Sequence, residues 1–208
     1  MRAFKSALGT VLGLVVAGTT FVQIASAAQI DFESVPVGTK YGTGFGHVPG
    51  SVVLTQDGIQ MSVENFHSGG STLFFRAEVG GVYDAAFPTT PLSMDNINAK
   101  FDFSNVGFPV SSVSVEYFDD GGANNISVNG EPILEIPAFG LDSIPVNIAL
   151  GVTATADGDS ITLNGTIQSL LIGGQELAID NIVAVPEPTA LILLASGGLA
   201  LIARRRTK

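Results

Sequence analysis

The stretch Ser112-Val113-Ser114-Val115-Glu116-Tyr117 alternates polar and apolar side chains at every position. The same period-two pattern occurs in residues 59–64 and 99–104, and helical periodicity does not recur between them. Because successive side chains of a β-strand point to opposite faces, each segment predicts a strand with one buried and one solvated face. The central part of the chain is therefore expected to be built from half-buried strands.

Pairs of turn-forming residues separate these segments at short spacing, including Gly121-Gly122. Asn129-Gly130 tolerates positive φ at both positions and predicts a hairpin over residues 125–136 with a type I′ turn. In the same way, Asn164-Gly165 predicts a second hairpin over residues 160–172.

Many short strands with glycine-rich turns and no intervening helices favour an all-β fold. We expect an antiparallel two-sheet β-sandwich, jelly-roll-like, over residues 28–184, with a single-sheet barrel as the alternative. This length is typical of one domain that can bury a sizeable core.

The first residues of the chain have the features of a secretory signal. Arg2 and Lys5 precede an apolar stretch, and Ala25-Ser26-Ala27 has the small-residue spacing that signal peptidase reads. Residues 1–27 are therefore predicted to be a signal peptide that is removed after Ala27.

The other end of the chain carries a second apolar segment. Val185-Pro186-Glu187-Pro188 precedes an apolar run at about 189–203, which is followed by Arg204-Arg205-Arg206. A helix of this length spans only ~22 Å, shorter than the ~30 Å hydrocarbon core of a bilayer, so it is a marginal transmembrane helix. The arginines favour the cytoplasmic side, which places the domain outside.

Pro186-Glu187-Pro188, the apolar run and Arg204-Arg205-Arg206 together resemble the PEP-CTERM sorting signal of Gram-negative bacteria that make exopolysaccharide. In that family an integral-membrane exosortase recognises the tail and processes it near the Pro-Glu-Pro motif. The resemblance implies that residues 185–208 are a sorting signal and an inner-membrane anchor before processing. It also implies that exosortase and signal peptidase act on the chain during export, and it implies nothing about the chemistry of the domain.

Charge and composition exclude several classes of partner and site. Between the two end segments the basic residues are Lys40, Arg76 and Lys100, against eighteen acidic residues. Nucleic acid is not an expected partner, because binding it requires Lys and Arg to neutralise phosphates. The chain has no cysteine, which excludes disulfides, thiol catalysis and Cys-ligated zinc.

The edges of the domain suggest a site for calcium. Residues 30–33 and 177–182 resemble the first and last strands of galactose-binding-like domains, where the two strands lie close and carboxylates can hold a calcium ion. Asp31 and Glu33, two apart on a strand, are expected to project from one face, and Asp180 joins them if the two strands pair. The alternative is that these carboxylates only form a solvated strand face.

No catalytic constellation is recognisable in the sequence. His47 and His67 lack a second metal ligand at helical or hairpin spacing, and the chain has no tryptophan to line a saccharide cleft. Tyr41, Phe45 and His47 occupy one glycine-rich loop, and rings presented there could stack on sugar faces. We expect Tyr41 to be accessible for this purpose.

These observations predict an exported, exosortase-sorted cell-surface or extracellular-matrix protein without catalytic activity. The sorting signal associates it with exopolysaccharide or biofilm, and carbohydrate binding is the candidate activity. Two alternatives stay open: a passive surface protein stabilised by calcium, and a glycoside-active enzyme.

Overall fold

The structure is a computed structural model that describes residues 26–81 and 86–187. This part of the chain contains fifteen strands, and Leu141–Ser143 forms a short 3-10 helix. The strands are β1 (Ala28–Ile30), β2 (Lys40–Gly42), β3 (Ser51–Gln56), β4 (Ile59–Glu64), β5 (Phe66–Ser68), β6 (Ser71–Leu73), β7 (Arg76–Val79), β8 (Leu92–Asp95), β9 (Ile97–Asp102), β10 (Val110–Val128), β11 (Leu134–Ile136), β12 (Asn147–Ala149), β13 (Val152–Ala156), β14 (Ser160–Asn164) and β15 (Ser169–Pro186).

Thirteen strands form one large antiparallel sheet, and β5 and β6 form a small second sheet. The main path of the large sheet is β12-β13-β14-β10-β15-β8-β7-β2. Strands β9, β4 and β3 extend from the first half of β15, whereas β1 pairs with its second half. The prediction of an antiparallel all-β domain is confirmed. Its two sheets differ greatly in size, and the jelly-roll arrangement stays a prediction.

The long strands β10 and β15 pair along their whole length and hold the sheet together. Their register runs from Val110 opposite Pro186 to Val128 opposite Leu170, with shifts at several points in between. Gly121 and Gly122, which were predicted to form a turn, lie inside β10 at φ +138° and +71°. They sit at one of these register shifts, where a bulge bends the strand without reversing the chain.

The alternating patterns correspond to strands with one buried face. Ile59, Met61 and Val63 of β4 are buried, and so are Val113 and Val115 of β10. Side chains from β1, β4, β9, β10, β14 and β15 belong to one hydrophobic core. Because the polar residues between them stay partly exposed, the predicted alternation is confirmed.

The first predicted hairpin is confirmed and the second is wrong. β10 pairs with β11, and Asn129 and Gly130 have φ +56° and +76°, as a type I′ turn requires. β14 instead pairs with β13 and β10, and β15 lies on the far side of β10. Gly165 serves a close approach to another segment: a Cβ there would lie 3.1 Å from the Cα of Val152.

The first and last strands of the domain pair. Ala28 lies opposite Ala184 and Ile30 opposite Ile182. The pairing that would bring Asp180 toward β1 is therefore present. Within residues 26–81 and 86–187, none of the helical segments has the length and apolarity needed to cross a membrane. The predicted helix at 189–203, and all of the predicted signal peptide except its last two residues, lie outside the described residues.

Candidate functional site

The first residues of the predicted sorting motif are part of the large sheet. β15 ends at Pro186, which is the Cα partner of Val110. The Ser111 hydroxyl donates a hydrogen bond to the Pro186 carbonyl oxygen (3.1 Å). The Glu187 backbone N–H donates to the Pro109 carbonyl oxygen (3.1 Å). Two residues of the Pro-Glu-Pro motif are thus held at the start of β10.

The Pro-Glu-Pro motif begins two residues after Ala184, the last buried residue of the described domain. Ala184 is fully buried and is the Cα partner of both Ala28 and Val113. Val185 is 40% exposed, and Glu187 is exposed. Since signal peptidase is predicted to cut before Ala28, the two predicted processing points lie side by side in the fold.

The remaining predicted sorting residues, Pro188 and Arg204-Arg205-Arg206, lie outside the described residues. The structure therefore positions the beginning of the motif relative to the domain. The contribution of the basic residues stays a prediction.

Asp31 and Glu33 bind different neighbours. Asp31 accepts a hydrogen bond from the Gln56 side-chain amide (2.9 Å), whereas Glu33 accepts one from the backbone N–H of Thr90 (2.8 Å). β1 ends before Asp31, and the buried Phe32 has φ +56°, outside the strand region. The prediction that the two carboxylates project from one strand is wrong for this reason.

Asp180 is the buried carboxylate of the predicted calcium site. Its side chain is fully buried. The carboxylate accepts hydrogen bonds from the Thr89 hydroxyl and from the Asn181 backbone N–H (2.7 Å). Burial raises the pKa of Asp180 to about 6; the two hydrogen bonds oppose this, and the negative charges of Glu116 and Glu33 add to it. No group of three or more His, Asp or Glu residues in the described part of the chain is arranged to hold a metal ion, and calcium stays a prediction.

Replacing Asp180 by asparagine should stabilise the domain at neutral pH. A carboxyl whose folded-state pKa is raised adds stability below about pH 4, which is lost as the pH rises through 6. At pH 7.5 Asp180→Asn should raise the free energy of unfolding by up to roughly 2 kcal/mol, since asparagine keeps an acceptor for the Asn181 N–H without the charge.

Urea unfolding of both proteins at pH 4 and pH 7.5 measures this effect. The difference should vanish at pH 4, and Asp157→Asn at an exposed turn should change little at either pH. A destabilised Asp180→Asn at pH 7.5 would contradict the expectation. The same series with calcium tests the ion hypothesis: an ion held by Asp180 should stabilise the parent at pH 7.5 and not Asp180→Asn.

The predicted aromatic loop offers less surface than expected. Tyr41 lies on β2 and is only 5% exposed, so the prediction of an accessible ring is wrong. Its ring packs edge-on against His47, with centroids 5.6 Å apart, and burial raises the pKa of its hydroxyl. Pairing of β2 with β7 draws Tyr41 into the core, while Phe45 remains 43% exposed.

A second cluster of aromatic and acidic side chains, which was not predicted, surrounds a cavity of about 230 Å³. Phe139 is 66% exposed and Phe118 is 38% exposed. Phe139 has φ +54°, a conformation that costs a non-glycine residue free energy. The lining residues are Tyr117, Phe118, Asp119, Phe139, Leu141, Asp142, Gly158 and Asp159.

The lining of this cavity carries acidic side chains without basic ones: three of its eight residues are aspartates and none is basic. The Tyr117 hydroxyl donates to the Asp142 carboxylate, and burial followed by this contact raises the pKa of Tyr117. Burial also raises the pKa of Asp119, while hydrogen bonds from Gly121 and Asn124 oppose it. Exposed rings beside carboxylate acceptors suit a ligand with an apolar face and hydroxyl or ammonium donors.

Local sequence signals did not reveal this cavity, because its residues come from three separate segments. Asp119 precedes Gly121-Gly122, and Asp159 follows Gly158, so both had the pattern of turn residues. The adjacent rings Tyr117-Phe118 were the available signal, because successive side chains of a strand point to opposite faces and one of the two rings must therefore leave the buried face.

Comparison with known proteins assigns the tail. Residues 184–206 match the PEP-CTERM protein-sorting motif. No curated protein matches the chain. The motif implies exosortase-dependent export to the cell surface, with exosortase as the processing partner.

Proposed function

We propose that this chain is a cell-surface or extracellular-matrix protein of a Gram-negative bacterium, whose β-domain binds a ligand without catalysing a reaction. The observation that carries the proposal is the sorting motif at residues 184–206. Before processing, residues 189–203 anchor the chain in the inner membrane with the domain outside. Tail-dependent processing in the producing cell tests this part of the proposal.

The ligand that the domain fits is a saccharide of the surrounding exopolysaccharide. The cavity of Phe118, Phe139 and their three neighbouring aspartates supports this proposal better than the Tyr41–His47 loop does, because Tyr41 is buried. A phenyl ring stacks on the apolar face of a sugar, and carboxylates accept hydrogen bonds from its hydroxyls. The missing positive charge in the cavity favours saccharides that are neutral or carry amino groups over acidic ones.

A saccharide screen on residues 28–187 tests this binding. Phe139→Ala should weaken binding of any positive saccharide by about tenfold, because losing one stacked ring costs roughly 1 to 1.5 kcal/mol. Isothermal titration with the saccharide found in the screen measures the change.

Two variants serve as controls in that titration. Phe75→Ala removes a ring of similar exposure (48%) that lies beside Arg76 and outside the cavity, and it should bind as the parent does. Phe45→Ala tests the loop of the sequence prediction. Loss of binding in Phe45→Ala with full binding in Phe139→Ala would place the ligand at the loop and contradict the cavity.

A passive surface protein stabilised by calcium is the second candidate. The observation that favours it is the electrostatic proximity of Glu33 and the buried Asp180, whose ionised form a cation would stabilise. A domain that binds no saccharide and melts at a higher temperature in calcium would support this candidate over saccharide binding. A glycoside-active enzyme would instead require turnover that one carboxylate substitution abolishes.

A further inference from the structure

The domain and its sorting motif are joined without a spacer. Ala184, the last buried residue, is held between Ala28 on one side and Val113 on the other. Pro186, the first residue of the Pro-Glu-Pro motif, follows only two positions later. In the folded protein, the start of the motif is therefore held against the surface of the domain.

The attachment of residues 185–187 is lighter than that of the strand before them, because among the described residues Val185 and Pro186 pair with β10 alone, whereas Ala184 also pairs with β1. It includes the bond from the Ser111 hydroxyl to Pro186 and the bond from the Glu187 N–H to Pro109. Pro186 has no N–H with which to continue the ladder. Val185 is 40% exposed, whereas Ala184 before it is fully buried. Such an end can open locally while the rest of the domain stays folded.

We propose that residues 185–187 detach from the start of β10 before exosortase processes the chain, so that the docking of these residues sets the processing rate. This inference rests on the proposed exosortase-dependent sorting. A processing enzyme binds the backbone of its motif in its own cleft, and the backbone groups held by Pro109 and Ser111 are not available to it at the same time. Detachment frees these groups.

Detachment also increases the distance that the motif can extend from the folded domain. Three extended residues span about 10 Å, which moves the motif away from the folded domain and toward a membrane-embedded active site. The opening stops at Ala184, because that residue is buried and paired on both sides. The hinge of the motion is thus the bond between Ala184 and Val185.

A disulfide that ties β15 to β10 tests the proposal directly. Ser112 and Val185 are Cα partners, and the chain has no cysteine of its own, so Ser112→Cys with Val185→Cys can form one defined bridge. In producing cells, the oxidised full-length chain should be processed at least tenfold more slowly than the parent. Addition of a reductant should restore the rate, and this arm also controls for the changed side chain at position 185.

A bridge elsewhere in the sheet provides the matched control. Gln60 and Asp102 are Cα partners on β4 and β9, and a disulfide between cysteines at these positions should leave the processing rate unchanged. Processing of the oxidised 112–185 variant at the parental rate would overturn the inference. No processing of the parent chain would overturn the proposed sorting together with it.

A pair of serine variants tests the same inference without a disulfide. Ser111→Ala removes the hydroxyl that holds Pro186 and should speed processing by roughly fivefold, the equivalent of one ordinary hydrogen bond. Ser112→Ala removes a neighbouring hydroxyl that bonds to Leu163 on β14, and it should have no effect. Equal rates for Ser111→Ala, Ser112→Ala and the parent would overturn the inference even if the bridge did not form.

Discussion

A chain shortened to end at Glu187 should fold as the full chain does and should be lost from the cell-surface fraction. The described strands end by Pro186, so removing residues 188–208 takes no described strand from the sheet. The deletion removes most of the matched sorting motif, including the apolar run and the arginines. Circular dichroism and urea unfolding check the fold, and immunoblots of membrane, surface and medium fractions check the destination. Delivery of the shortened chain to the same fraction as the parent would contradict the sorting function.

The motif itself can be separated from the apolar run by substitution. Pro186→Ala, Glu187→Ala and Pro188→Ala together should leave the chain in the membrane with its full C-terminal mass, as read by mass spectrometry. Glu131-Pro132, in an exposed turn, provides the matched control, because its alanine variant removes the same residue types without touching the tail. Normal processing of the triple variant would show that the motif is not the recognised element.

Gly173→Ala should destabilise the domain by roughly 3 kcal/mol or more, a large part of the stability of a domain this size. Gly173 lies on β15 opposite Asn98 of β9, and a Cβ added there would lie 2.6 Å from the Asn98 Cα. Asn98 cannot move aside easily, because it is fully buried and its amide donates to the Asn65 carbonyl (2.6 Å) and to Asn125 (3.2 Å). The clash therefore forces two paired strands apart.

Urea unfolding of Gly173→Ala measures this loss. Gly44→Ala is the comparison, because a Cβ there meets no atom within 4 Å and only the positive φ of +85° opposes it. Gly44→Ala should lower the free energy of unfolding by about 1 kcal/mol, because alanine is strained in the left-handed region. A Gly173→Ala variant no less stable than Gly44→Ala would mean that β9 and β15 can separate more easily than their packing indicates.

Local patterns sufficed where neighbours in the sequence are also neighbours in space. The alternation in residues 59–64 predicted the buried face of β4, and Asn129-Gly130 predicted the turn between β10 and β11. Each of these features depends on backbone preferences or side-chain direction within a few residues.

Features that depend on partners distant in the chain were not predictable in the same way. Asn164-Gly165 had the residues of a hairpin turn, but β10 occupies the place beside β14 that the hairpin would have filled. Tyr41 had the context of an exposed loop, but pairing of β2 with β7 buries it. Period-two alternation indicates which side of a strand is buried and does not indicate which strand lies next to it.

The amino-acid sequence alone determined the all-β character of the domain, its acidity and the sorting motif, because composition, alternation and a contiguous motif are local properties. Tertiary structure decided that the motif begins on the surface of the sheet and that Asp180 is buried beside other carboxylates. It also decided that Phe118 and Phe139 face one acidic cavity. These features arise where β10 and β15 bring together segments far apart in the chain, and such long-range pairing leaves no signature in any one of them.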